Sequence, residues 1–420
     1  MCRSIVILCA NLNLTSVPHF SNPVDNDSAW DLELRDNEIR QIRYGDFKNL
    51  KLRKLFISNN KINVIENGAL TGSEGSLLVI DLSNNKLTSI PSDVGRLKHL
   101  TDLDIHDNPM KTMNEDIIRN ISGSLLSFSL GHEIMTSWPQ CVERLAHLTS
   151  LSIFSVNIPK IPDDAFNNYS HLNILEIIST NISSIPTSIG KLLNLQNVNL
   201  YNNLILAEDS FPLNIFQDLQ NLSSISIVNC SLRSLPLTFS EISSLSFLDI
   251  ENNPTSYVED GVFDKHHSSN VWFMALKNTK LTSIPRTVSN LTSLTFLNLI
   301  NGLIDEIKTE DLINVTKLER LFLSGNPLRS ISEEAFKDLE SLESLILDNT
   351  NLTTVPKAVL NLPSLMGLSL DNNGIMCTCR TLKWMKDWPR LAKVLIVGSC
   401  GNIRMTITEY IKQELPKCEL

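Results

Sequence analysis

A chain of 420 residues is too long for one ordinary hydrophobic core, and its make-up, 42% hydrophobic and 20% charged, is globular rather than disordered. A formal net charge of −10 argues against nucleic acid or an anionic membrane surface as the main partner. Glycine is only 15 of 420, so Gly-rich phosphate cradles are disfavoured, and the longest purely apolar run, Ile5–Ala10, falls far short of the ~20 residues that span a bilayer.

From residue 30 onward the chain repeats itself. The frame L-x-x-L-x-L-x-x-N-x-L recurs as LLVIDLSNNKL (77–87), LTDLDIHDNPM (100–110), LERLFLSGNPL (318–328) and LESLILDNTNL (342–352). The third apolar residue of each copy marks fifteen positions from Leu34 to Leu370, with a mean step of 24 residues. That period lies in the 20–29 window of leucine-rich repeats. The L-x-L alternation predicts a short strand buried on one face, and a single turn cannot cover that face, so turns must stack. The expected fold is an α/β solenoid, a horseshoe of about fifteen repeats with a parallel sheet on its concave face.

Along the first four repeats the outward positions carry Asp31, Glu33, Arg35, Asp36, Asp81, Asp102, Asp104, His106 and Asp107. This acidic cluster is either a surface for a basic partner or a solvated sheet face. After each L-x-L an amide is expected to satisfy backbone groups at the turn, and Asn stands there at 37, 60, 85, 108, 203, 253, 326 and 373. Thr180, Thr279, Thr350 and Cys230 are smaller substitutes, whereas Glu133, Val156 and Gly302 break the pattern. The ladder is therefore expected to be least regular over 133–180.

The return limbs alternate. Ile90-Pro91, Trp138-Pro139, Ile185-Pro186, Leu235-Pro236, Ile284-Pro285 and Val355-Pro356 mark mostly 23-residue units, while longer units tend to carry a Phe, as in DDAF, DGVF and EEAF. Insertions are expected at 204–222 and 254–270, and His266-His267 in the second reads as a solvated loop rather than a ligand pair. From the sixth repeat the outward residues turn apolar. Phe154, Ile178, Tyr201 and Val228 share one column; Phe247, Phe273 and Phe296 share another, with Phe322 and Ile346 beyond. Such a row is either an interaction surface or a lateral zipper between strands.

At the C-terminus Cys377-x-Cys379, Cys400 and Cys418 flank TLKWMKDW, a short helix by its pattern. A C-x-C pair is tighter than the usual zinc spacing, and the cluster sits where a solenoid's last apolar face needs a cover, so it reads as a disulfide cap. With these features the chain resembles the extracellular leucine-rich-repeat family with cysteine caps, as in Toll-type ectodomains, Slit-like proteins and lamprey antigen receptors. The resemblance implies pairing of Cys377 with Cys400 and of Cys379 with Cys418. It likewise implies that Ile7-x-Cys9-x₄-Leu14-x₂-Val17-Pro18 is the second half of an N-terminal cap; a Cys2–Cys9 bond is expected, although in the family's four-cysteine form both would bond to an upstream pair that is not in this sequence. A signal peptide over 1–10 is the alternative, but six apolar residues are fewer than the 7–15 such a segment needs. The resulting organisation is a partial N-terminal cap over 1–29, the solenoid over 30–376 and a cysteine cap over 377–420.

Cys141 and Cys230 are four repeats apart, roughly 20 Å, and cannot bond to each other; Cys141 is expected as a free buried thiol. Ten N-x-S/T sequons occur, at Asn13, Asn26, Asn120, Asn168, Asn181, Asn221, Asn229, Asn290, Asn314 and Asn351, with Asn229 placed to crowd the sheet face if glycosylated. The caps make the expected compartment extracellular.

No metalloprotease, nucleophile-elbow, Walker or dinucleotide motif is present in the sequence, so no catalytic, metal or cofactor residues are assigned. The expected function is non-catalytic recognition of a protein or glycan ligand on the concave face, and the resemblance implies innate immunity or cell-surface signalling. A matrix or adhesion protein acting through self-association, for example as a homodimer, is the alternative.

Overall fold

The computed structural model describes residues 5–20, 29–263 and 270–418. The chain divides into two compact units, 1–206 and 207–420. In the first, nine parallel strands run from Ile5–Leu8 to Asn197–Tyr201. Leu32, Leu55, Ile80, Leu103, Phe128, Leu151, Leu175 and Val198 stand opposite one another from strand to strand, each at most 2% exposed. The second unit repeats this with eight strands, from Ser224–Val228 to Leu395–Val397, through Ile225, Leu248, Met274, Leu297, Leu321, Leu345, Leu368 and Ile396. Period two thus sends every second side chain into the core, and each fully buried aliphatic residue contributes about 1.5–3 kcal/mol only once a neighbour covers it. Fifteen of these strands follow the fifteen marked repeats; the other two come from the N-terminal segment and the cysteine-rich C-terminal segment.

The return limbs are mostly short helical turns. Pro91, Pro139, Pro186, Pro236, Pro285 and Pro356 each precede a five-residue 3₁₀ turn, where a missing N–H costs no ladder bond. The intervening limbs bury Phe47, Phe166, Phe216, Phe263 or Phe336 instead. One helix, Glu115–Ile121, was not legible in the repeat pattern. Asn114 caps it by accepting from the Asp116 amide at 2.9 Å, and Ile117, Ile118 and Ile121 are buried. His266 and His267 lie outside the described residues. Among the described residues no helix is long and apolar enough to cross a membrane.

The asparagine ladder works as a cross-repeat stitch. Asn60 Nδ2 donates to the carbonyl of Leu34 one repeat back (2.9 Å) and to its own repeat's Ile57 (3.2 Å), while its Oδ1 accepts from the Ile39 amide (3.0 Å). Asn85, Asn108, Asn203, Asn253, Asn326 and Asn373 likewise reach back to Ile57, Leu82, Ile177, Ile227, Leu299 and Leu347. Threonine is too short for that span. Thr279 and Thr350 reach their own repeat's Leu276 and Leu347 carbonyls rather than the previous repeat's, and the Thr350 hydroxyl also meets Asn373 Oδ1 one repeat on (2.7 Å). At Gly302 the missing side chain has a use, because a Cβ there would lie 2.7 Å from Asn326 Oδ1.

A second column controls the turns. In fourteen of the fifteen repeats the second residue after the marker has positive φ, including Asp36, Asn59, Asn84, Asn202, Asn278 and Asn301. Asn and Asp tolerate this left-handed geometry better than other side chains. Their exposed amides also link up, Asn84 to Asn59 (2.6 Å), Asn278 to Asn252 (2.6 Å) and Asn301 to Asn278 (2.8 Å). The exception is the repeat marked by Leu130, where Gly131 takes φ +123° one position earlier. That turn lies just ahead of the 133–180 stretch expected to be least regular, within which Ser155 and Ser179 keep the positive φ. The strands Ser150–Phe154 and Ile174–Ile178 are five residues long and pair without a shift, so the sheet itself is regular there.

In the C-terminal segment Cys377 is bonded to Cys400 and Cys379 to Cys418, with both Cα pairs 5.5 Å apart. Leu382, Met385, Trp388 and Ile407 are buried beneath these bridges, and the strand Leu395–Val397 pairs with Gly367–Ser369. At the other end Cys9 is a free thiol, so the bond expected with Cys2 is not made at Cys9; Cys2 itself lies outside the described residues. Cys9 follows directly on the strand Ile5–Leu8, half-buried, with its amide donating to the Glu33 carbonyl at 2.8 Å. Cys141 is free, but half-exposed rather than buried. It lines a cleft of about 740 Å³ with Glu115, Arg119 and Arg144, and partial burial pushes its thiol up. It is therefore not primed as a nucleophile.

Candidate functional site

The acidic cluster of the first unit is spent internally. Asp31 is gripped by Arg53 through two bonds, at 2.6 and 2.9 Å. Asp81 accepts from Arg35 (3.2 Å), Ser58 (2.7 Å) and Ser83 (2.7 Å), and Glu33 lies 3.5 Å from Arg35. The Arg35 guanidinium also stands 4.2 Å over the Phe56 ring. Asp36 takes the Asn59 amide and Asp102 the Thr101 hydroxyl. Asp104 holds His106 at 2.6 Å, with Asp107 at 3.9 Å. Burial opposes the His106 charge, but the Asp104 hydrogen bond and the carboxylates of Asp104, Asp107 and Asp81 together raise its pKa. Repeat spacing put these residues on one face; that they neutralise one another across strands was not visible in it.

Phe154, Ile178 and Tyr201 do share a register column, as half-buried residues. His106 and Phe154 belong to that column two strands apart. Gly131 stands between them with no side chain, and the rings close to a 4.0 Å stack. Val228 is a half-buried outward residue of the second unit.

In the second unit Phe247, Phe273 and Phe296 pair in register and stack almost parallel, with centroids 4.3 and 4.8 Å apart. Their faces are therefore consumed by one another, at the strand spacing. What the row offers to solvent is a ridge of ring edges, flanked by Trp272, which is 47% exposed and 5.8 Å from Phe273. Phe322 is not in that column. It pairs with Asn298, two residues further along the strand, and meets Phe296 edge-on at 5.0 Å. The zipper and the exposed ridge are thus two sides of one arrangement. Trp272 was missed because it precedes the L-x-L strand, where a large aromatic was its only signal.

Asp249 lies beside this row, between Ser226 and Ala275. Its Oδ1 is buried without a hydrogen-bond partner. Burial, reinforced by Glu251, raises its pKa to about 6, with the Glu251 amide and Lys277 opposing. The folded chain thus holds the proton more tightly than an unfolded one titrating near 3.8, so this contribution is full below pH 3.8 and lost as pH rises through about 6. Asp249→Asn is expected to stabilise the protein at pH 7.5 by up to about 3 kcal/mol, with no gain at pH 3.5. Urea melts at the two pH values check it, and equal shifts at both would sink the assignment.

Nine of the ten sequons fall within the described residues, Asn26 outside them. Asn13, Asn120, Asn168, Asn181, Asn221, Asn229, Asn314 and Asn351 are exposed, whereas Asn290 is half-buried and donates to the Phe263 carbonyl at 2.8 Å. None of the nine lies within a strand.

Two family models match the sequence, one described as leucine rich repeat over residues 51–110 and 316–375, the other as BspA type leucine rich repeat region over 122–212 and 159–285. Among curated proteins, Tsukushi of Gallus gallus is 26% identical over 248 residues, 53% of this chain and 59% of that protein. Asporin of Bos taurus is 38% identical over 95 residues, covering 22% and 24% of the two chains. The human leucine-rich repeats and immunoglobulin-like domains protein 2 is 32% identical over 95 residues, 21% of this chain and 9% of that one. The chain thus spans less than two-thirds of each of these relatives. Among solved structures, a leucine-rich-repeat protein of Leptospira interrogans matches with TM-score 0.61 at 23% identity, covering 86% of this chain and 95% of that one. The plant peptide hormone receptor RGFR1, solved in complex with RGF2, matches with TM-score 0.60 at 22% identity, covering 89% and 59%.

Proposed function

Because the chain belongs to the leucine-rich-repeat family, we propose that it is a non-catalytic, extracellular recognition protein that engages a protein ligand across the outward face of its strands. The observation that carries this reading is the aromatic ridge of Phe247, Phe273 and Phe296 with Trp272 beside it. Rings locked by their own stack lose little entropy when a ligand covers them, which is what an anchor residue needs. The first unit contributes Phe154, Ile178 and Tyr201 as a lesser apolar column, and its acidic cluster acts as a structural network. Two disulfides in the C-terminal segment support an oxidising compartment. The eight exposed sequons are then glycan acceptors, of which Asn229, next to the strand Ser224–Val228, borders the face. A role in innate immunity or cell-surface signalling is consistent with the plant receptor's complex with its hormone.

The test is a double variant, Phe247→Ala with Phe273→Asp, presented with the unaltered chain to an array of secreted and cell-surface ectodomains. Binding to any hit is expected to fall at least ~100-fold, since two hot-spot residues cost about 2 kcal/mol or more each. Circular dichroism melts must show both chains folded. Undiminished capture by the folded variant would remove the ridge from the site.

A further inference from the structure

Beyond the ridge, the strands Arg320–Phe322, Ser344–Ile346 and Gly367–Ser369 carry a different pattern. Phe322 and Ile346 pair in register and form a half-buried apolar floor. Past Ser369 in the same column stands Val397, 39% exposed, and past Gly367 in the neighbouring column stands Leu395, 69% exposed. On the entry side of these strands stand Glu319 and Glu343, both exposed and one strand apart, since the Glu343 amide donates to the Glu319 carbonyl at 2.9 Å. On the exit side stand Asp348 and Asp371; Asp348 accepts from the Ser369 hydroxyl and from the Asp371 amide. None of the four carboxylates has an ion-pair partner among the described residues, in contrast to Asp31 and Asp81 of the first unit. Among the described residues of these three strands the one cation is Arg320, which pairs with Phe296.

Like charges held one strand apart, about 4.8 Å, on both sides of an apolar floor raise each other's cost, and that cost is relieved by a cation placed between them. A second copy of this chain brings the same sign to the same place and is repelled. Resting on the reading that this face binds a protein, we propose that its partner presents a cationic, apolar polypeptide segment. Bulky apolar side chains cover Phe322 and Ile346, and lysines or arginines bridge the carboxylate rails. The acidic residues that matter are thus Glu319, Glu343, Asp348 and Asp371, rather than the cluster of the first unit, where Asp31, Glu33 and Asp81 already have arginine partners.

The probes are two labelled twelve-residue peptides, one alternating Lys and Leu, the other Glu and Leu, titrated into the full chain by fluorescence anisotropy. The basic peptide is expected to bind at least ~10-fold more tightly, with the preference shrinking as salt rises from 50 to 300 mM. Glu319→Lys with Glu343→Lys, both at exposed positions, should weaken the basic peptide by ~10-fold or more, and Asp371→Lys alone should act in the same direction. Equal binding of the two peptides, or reversals that change affinity less than twofold in folded chains, overturns the proposal. If those reversals are silent while Phe247→Ala with Phe273→Asp still abolishes capture of an ectodomain, the face binds protein but the partner chemistry is wrong. If both are silent, the recognition reading fails with it. Dimers in sedimentation velocity that are lost in the Phe247/Phe273 variant would also overturn it, by making a second copy the occupant.

Discussion

Gly131→Ala is expected to destabilise the first unit by about 3–5 kcal/mol, more than any other single glycine-to-alanine change in the chain. Two independent costs meet at this position. Its φ of +123° is one that L side chains rarely adopt, and a Cβ built there lies 1.9 Å from the Phe154 carbonyl oxygen and 2.9 Å from the Phe154 backbone nitrogen. The obstacle is backbone, so no rotamer change relieves it. The strand Ser150–Phe154 must move, and with it the 4.0 Å stack of His106 on Phe154 that spans the gap. A solenoid takes such damage locally, because each repeat touches only its neighbours. Hydrogen exchange is therefore expected to rise across 127–154 before the rest of the unit, and the denaturation curve to lose its single transition. Gly75→Ala is the control, since its Cβ meets nothing within 4 Å and its backbone is unstrained. If the two variants melt alike, the close approach at Gly131 is not what shapes the turn.

Removing the Cys379–Cys418 bridge by a double serine substitution is expected to cost the C-terminal segment about 3–4 kcal/mol. The bond closes a loop of 39 residues' separation, and in the chain-entropy account loops of that order give stabilisation of this size. Losing it loosens the cover over Leu368 and Leu370, which are at most 1% exposed only because a further layer lies on them. The last repeats are then expected to fray inward from the end, seen as early exchange over 344–370 and earlier proteolysis at that terminus. Cys141→Ser, at a free thiol off the core, should change stability by less than about 1 kcal/mol. Peptide mapping without reduction checks the pairing directly: a 377–400 and a 379–418 linked peptide are expected. A double-serine variant as stable as the unaltered chain would show that the segment is held by packing alone.

Much of this was legible in the residues. The 24-residue step gave the repeat, L-x-L gave the buried line from Leu32 to Val198, and the Asn column gave the amide stitch that Asn60 makes to Leu34. Proline positions marked six limbs, and every one holds a 3₁₀ turn. The second column, Asp36 to Asn372 at positive φ, was equally present as Asn, Asp, Ser and Gly two residues after every marker but Leu130. It went unread because the frame gives that position no hydrophobic signature. The helix Glu115–Ile121 was hidden for a related reason, since seven residues inside one limb do not disturb the spacing of the strands around them.

Local repetition is what a sequence determines by itself, because the strand, the turn and the buried line each need only a residue and its immediate neighbours. Side-chain partners across strands are different, as they depend on which residues 23 to 26 positions apart come to stand side by side and how each leans. Only the tertiary structure decided that Arg53 and Arg35 pair with Asp31, Glu33 and Asp81 of the acidic cluster, that three phenylalanines spend their faces on each other, and that Phe322 sits one column over. It also decided that Glu319, Glu343, Asp348 and Asp371 stand without ion-pair partners among the described residues. Charge counted along the chain shows carboxylates in both places. Whether a carboxylate meets an arginine at bonding distance is settled by register.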